Sequence, residues 1–155
     1  MMKIEKLIGL ITLISGIIFW ILLFSNVQTL HFPDENMHSE IISKMNYSKQ
    51  FYSYFKMFVF GLLGVLGGIY FFKVKKIGWL LCCIFWSESF VERVISILSK
   101  SNILDTFFGG QTLFSLLMVG ILFSKTNIQK FDVDKNDWIK IIISVLVLLL
   151  IQYIY

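Results

Sequence analysis

Residues 7–24 read LIGLITLISGIIFWILLF, with Thr12 and Ser15 the only polar side chains in the run. At 1.5 Å rise per residue, a helix of about 20 residues spans the ~30 Å of hydrocarbon in a bilayer. Such a run has no face to offer water. In lipid the backbone must satisfy its own hydrogen bonds, which leaves only a helix or a closed barrel. The run is continuous rather than alternating, so it reads as helix. Lys3 and Lys6 ahead of it resemble the start of a signal peptide. The apolar run exceeds the usual ~7–15 residues, however, and no small-x-small cleavage site follows, so we expect a retained helix.

Four further stretches of similar length follow, at about 55–72, 77–98, 106–123 and 138–155, with an outer loop at about 26–53. The composition agrees: 57% of the 155 residues are hydrophobic and only 15% charged, against roughly 25% charged in a soluble domain. The expected fold is all-α, a polytopic transmembrane bundle of about five membrane-spanning helices forming a single domain over 1–155. That leaves no length for a separate globular enzyme. The net charge of +4 reads as cytoplasmic-loop lysines, not as a nucleic-acid surface.

Orientation follows from those lysines. Lys3 and Lys6 precede the first stretch, Lys73, Lys75 and Lys76 fill the turn between the second and third, and Lys125, Lys130 and Lys135 lie between the fourth and fifth. If all five stretches cross, these fall on one side, placing the N-terminus in the cytoplasm and the C-terminus outside the cell membrane. Lys44, Lys49 and Lys56 lie on the outer side, against the rule but in or beside a longer loop. Aromatic residues at the outer end of the second stretch and around the fifth (Trp138, Tyr153, Tyr155) fit the headgroup level.

The third stretch carries the most chemistry. At ~100° per residue, Glu88, Ser89, Glu92, Arg93 and Ser96 fall on one half of the helix. A charge facing lipid at the bilayer centre costs at least about 2.5 kcal/mol, so this half should look into the bundle. Glu88 lies roughly 16 Å along the span, near the midplane. Glu88 and Glu92 are neighbours four residues apart and would repel unless one is protonated or a cation stands near. Lys56, Lys100, Asp105 and Gln111 are the candidate outer-side partners of this intramembrane cluster.

In the second stretch Gly61, Gly64, Gly67 and Gly68 recur every three or four residues. Missing side chains there let another helix approach closely, from within the chain or from a second copy. Cys82 and Cys83 are adjacent within an apolar run and imply no disulfide. His31, Asp34, Glu35, His38 and Glu40 in the outer loop match no metal-ligand spacing. No phosphate loop, nucleophile elbow or zinc-protease helix is present in the sequence, and no cofactor or metal is expected.

The order of features resembles the small DoxX-like four-helix integral membrane proteins. The matching residues are Phe32-Pro33 after the first helix, Lys56 before Gly61 and Gly64, and Glu92-Arg93-Val94-Ile95-Ser96-Ile97-Leu98 closing the third. The likeness covers roughly 7–123. Lys56 stands where that pattern tends to have arginine, and the fifth helix is extra. The resemblance implies a bundle and little about activity.

The leading expectation is therefore a non-enzymatic component of a membrane assembly, associating in the lipid bilayer with itself or with another membrane protein. A small ion or proton channel or transporter using the polar face of the third helix is the alternative. A membrane-embedded enzyme comes third.

Overall fold

A computed structural model describes residues 4–28, 47–99 and 106–154 of the chain. Among them the fold is all-α, without strands: α1 (Ile4–Gln28), α2 (Tyr47–Phe72), α3 (Lys76–Ser99), α4 (Thr106–Leu122), α5 (Lys125–Lys130) and α6 (Lys135–Ile154). Helix α2 begins inside the expected outer loop, because no glycine or proline stops it at the edge of the apolar run. The short α5 was not expected; six residues are too few for a periodic pattern to show. The loop residues His31, Asp34, Glu35, His38 and Glu40 lie outside the described residues.

Helices α1 and α2 run antiparallel with their backbones in contact. Gly9 lies against Gly68 and Phe72, and Gly16 against Gly61, Gly64 and Val65. A Cβ added at Gly64 would sit 2.6 Å from the Gly16 Cα, and one added at Gly16 would sit 2.5 Å from the Val65 nitrogen. The Trp20 ring covers Gly61, and its indole N–H donates to the Phe58 carbonyl at 3.3 Å. Small residues achieve this closeness, and in lipid dispersion between close backbones drives the pairing. Gly67 turns the other way, toward Leu81 and Cys82 of α3, where Gly78 in turn abuts the backbone at Tyr70 and Phe71. The glycine face of α2 is thus occupied within the chain.

The α2–α3 turn is closed by the Lys75 N–H on the Tyr70 carbonyl and the Val74 N–H on the Phe71 carbonyl, both 2.9 Å. This is the double bond pattern of a Schellman cap. It places Val74 at φ 54°, a region a β-branched residue rarely adopts. Asp132, at φ 49°, ends α5 in the same way, with the Val133 N–H reaching the Ile128 carbonyl.

Helix α3 is the centre of the bundle, packed by α2, α4 and α6. It buries Trp79, Cys82, Cys83, Phe85, Trp86 and Glu88, and both cysteines are free thiols. The Trp79 indole donates to the Leu122 carbonyl at 2.9 Å, tying α3 to the end of α4. The Trp86 indole donates to the Thr12 hydroxyl at 3.0 Å, and Thr12 donates to the Ile8 carbonyl at 2.9 Å, tying α3 to α1. Helix α6 runs parallel to α3, with Trp138 beside Trp79 at one end and Leu148 and Ile151 near Glu88 further along. Trp138 stacks on Phe123 at 4.9 Å between centroids, a packing role in addition to the interfacial one expected for it.

The outer helices turn apolar side chains outward. Ile14, Ile17, Ile18 and Ile21 of α1, Phe58 and Leu62 of α2, Leu113 and Leu117 of α4, and Ile142, Ile143, Leu146 and Leu150 of α6 are all exposed. Monomeric soluble proteins rarely expose apolar patches beyond a few hundred Å². Of α3's large hydrophobics, only Ile77 and Leu98 at its two ends are exposed. Two helices are long and apolar enough to cross a membrane by length and composition, Ile4–Ser25 and Phe51–Phe72, with Gly110–Leu122 a shorter apolar helix. Helix α3 carries Glu88, Glu92 and Arg93, and α4 has 17 residues, about 26 Å.

Candidate functional site

The polar residues of α3 point in two directions rather than into one space. Glu88 and Glu92, one turn apart, face α2, and Ser89 and Arg93 face a cavity beside α1 and α4. A helical wheel puts all four on one half of the helix, but neighbours on two sides divide that half.

On the α2 side, Lys56 supplies the cation that two adjacent carboxylates require. Its Nζ lies 2.7 Å from Glu92 Oε1 and 3.7 Å from Glu88 Oε1. Glu88 is 0% exposed, and neither of its oxygens meets a hydrogen-bond donor among the described residues. The space beside the pair is small, about 20 Å³, and is lined by Tyr52, Phe60, Leu148 and Ile151 among others. An ion pair out of water is retained only where the partners compensate each other, since each lone charge would cost several kcal/mol. Lys100 and Asp105, the other expected partners, lie outside the described residues.

On the opposite side, a cavity of about 410 Å³ opens between α1, α3 and α4. Ser15, Ile18, Phe19 and Leu22 line it from α1, Phe85, Trp86, Ser89 and Arg93 from α3, and Gly110, Gln111, Phe114 and Ser115 from α4. Gln111 therefore belongs with Arg93 and not with the carboxylates. Its Oε1 is buried without a hydrogen-bond partner among the described residues. Ser89 donates to the Phe85 carbonyl at 2.8 Å and Ser115 to the Thr112 carbonyl at 2.9 Å. Arg93 and Ser96 each have an interaction within the chain.

A third cluster closes the opposite end of the bundle. Asp134 and Asp137 cap α6 reciprocally: the Asp137 N–H donates to Asp134 Oδ1 at 2.9 Å and the Asp134 N–H to Asp137 Oδ2 at 3.1 Å. This is a capping box with Asp in both positions. Its sequence signal is Asp134-x-x-Asp137 ahead of an apolar run. Lys76 of α3 reaches Asp137 at 2.6 Å and the Asp132 carbonyl at 2.7 Å, and Lys140 reaches Asp137 at 3.2 Å. Lys130 pairs with Glu5 at 2.6 Å, and Lys6 lies over the Phe72 ring. The start of α1, the α2–α3 turn and the α4–α6 connection thus meet at one end.

Burial of the Asp137 carboxyl works to raise its pKa, but hydrogen bonds from Lys76, the Asp134 N–H and Lys140 outweigh it and pull it down to about 2. The same bond to Asp137 raises Lys76 above the ordinary lysine value. Because the folded carboxyl sits below its unfolded value of ~3.9, the unfolded chain takes up a proton first on acidification. The stabilisation is whole above that value and is lost as pH falls toward about 2. Unfolding in detergent as a function of pH should show this loss, and Asp137→Asn should flatten it.

Among the described residues no three or more His, Cys, Asp or Glu come together as metal ligands. No family model, no curated protein and no solved structure matches the chain.

Proposed function

We propose that the chain is a five-crossing membrane protein with its N-terminus in the cytoplasm and its C-terminus outside, acting as a non-enzymatic component of a membrane assembly. The outward apolar faces of α1, α2, α4 and α6 around a polar-bearing α3 carry this reading. Water would penalise that arrangement and lipid would favour it. The meeting of the basic segments at one end supports the orientation. A DoxX-like origin would account for the first four crossings.

Association must use a surface other than the glycine ladder, which α1 and α3 cover. Helix α4 offers one. Leu113, Leu116 and Leu117 are exposed on the same face as Gly120, where an added Cβ would meet nothing within 4 Å.

The test has two parts. In a chain whose Cys82 and Cys83 are replaced by serine, Lys75→Cys should react with an impermeant maleimide only after the cells are opened. Labelling of intact cells overturns the orientation. The detergent-solubilised protein should have a mass above that of one chain or hold a second protein; a strict monomer that copurifies with nothing overturns the association.

Transport is the second reading, favoured by Glu88, a buried carboxylate without a donor. It requires an ion or proton flux into liposomes that Glu88→Gln abolishes. Wild-type protein with no flux removes it.

A further inference from the structure

We propose that the cavity between α1, α3 and α4 binds a single-chain amphiphile with an anionic head, a carboxylate or a phosphate ester, entering from the outer half of the lipid. This goes beyond the proposed topology but rests on the membrane placement.

The volume, about 410 Å³, falls within the ~300–1,000 Å³ of small-molecule sites. It would hold on the order of a dozen waters at ~30 Å³ each, yet most of its wall is hydrocarbon and aromatic ring. The polar and apolar groups are also separated along its length. Helices α1 and α3 run together and α4 runs against them. Leu22, Arg93 and Gln111 therefore fall toward one end, the outer one on the proposed topology, and Phe85, Trp86 and Phe114 lie deeper.

An arginine fork at the mouth suits a carboxylate or phosphate. Arg93 already has an interaction within the chain, and its planar guanidinium carries five N–H donors. Gln111 presents a buried amide oxygen that meets no donor among the described residues, which a head-group hydroxyl or the remaining O–H of a singly ionised phosphate ester would satisfy, and its NH2 adds donors for the anion. Below them, Phe85, Trp86 and Phe114 form an edge-to-face series, with centroids 5.1 and 5.5 Å apart, that offers a smooth apolar wall to an alkyl chain. A polar metabolite would leave that wall wet, and a neutral hydrocarbon would bring no donor to the Gln111 amide oxygen and no charge for Arg93.

Trp86 makes the site measurable. Purified full-length protein in phosphatidylcholine nanodiscs is titrated with a dibrominated stearic acid, whose bromines quench nearby indole fluorescence. The expected result is saturable quenching that Trp86→Phe largely removes. Arg93→Gln should weaken the half-saturating concentration at least tenfold, Arg93→Lys less, and the brominated alcohol of the same chain should bind at least tenfold more weakly than the acid.

Gly110→Phe, which fills space without adding an indole, guards against a folding artefact. Gly110 lies exposed on the cavity wall with nothing within 4 Å of an added Cβ, so the variant should fold and lose saturable quenching. Inorganic phosphate should not compete.

Linear, unsaturable quenching in the wild type overturns the proposal. So does equal binding of the alcohol, full competition by inorganic phosphate, or unaltered binding in Arg93→Gln. A chain that fails to enter nanodiscs refutes the membrane placement, whereas one that enters without saturable quenching refutes the cavity alone.

Discussion

Lys56→Met is expected to cost the folded chain about 1–3 kcal/mol, below the figure for a fully buried ion pair because the side chain of Glu92, the carboxylate Lys56 approaches most closely, is 37% exposed. Lys56 is the only cation within salt-bridge distance of either Glu88 or Glu92 among the described residues. Without it, Glu88 stays at 0% exposure between α2 and the end of α6 with no donor and no counter-charge. Methionine keeps most of the lysine's length, so the change removes the charge, and with it the ammonium placed over the Phe60 ring, rather than the stem's packing. Pairing the variant with Glu88→Gln should recover most of the loss, since no lone charge is then left buried. Reversible unfolding in mixed micelles reads both. A Lys56→Met protein as stable as wild type would show that Glu88 reaches water or takes up a proton once the cation is gone.

Gly64→Val should separate α1 from α2. The added Cβ meets the Gly16 Cα at 2.6 Å and the Gly16 nitrogen at 2.9 Å. Both are backbone atoms, which cannot swing aside as a side chain would. Overpacking in a core ordinarily costs about 1–3 kcal/mol, and rigid neighbours put this site at or above the top of that range. The effect should be local. Proteolysis or hydrogen exchange should rise in α1 and in the α2 segment facing it, while the Trp79–Leu122 link of α3 to α4 keeps its protection. At Gly120, where nothing lies within 4 Å, the same substitution should leave the isolated chain's stability nearly unchanged.

The helices were legible because long continuous apolar runs such as 7–24 exclude the alternation of a half-buried strand. What lay beyond reach was pairing. Gly61, Gly64, Gly67 and Gly68 announce a close approach, but spacing within one helix does not say which backbone arrives, and here two do. The charges of α3 posed the same difficulty. Periodicity gathers Glu88, Ser89, Glu92 and Arg93 on one half of the helix, and only the positions of α2 and α4 separate a carboxylate pair from a cavity wall. Lys56 could be named as a partner because it sits near the outer end of its own span. Thr12 was passed over as a minor interruption, yet it is fully buried and accepts the Trp86 indole hydrogen bond. A lone hydroxyl in an apolar run is ambiguous, since it can bond its own backbone four residues back, as Thr12 also does.

The turn at Val74, which joins the Lys56-bearing helix to the Glu88-bearing one, bears on how the chain reaches its membrane. Synthesis delivers α2 before α3. Helix α3, with three charges, meets an insertion penalty of up to ~2.5–3.5 kcal/mol for each one held near the centre. Helix α2, rich in Phe and Leu, passes more readily. On the proposed topology, the α3 carboxylates meet the Lys56 cation only once both helices have been made. That pairing would favour their entering the bilayer together, as a single hairpin cargo.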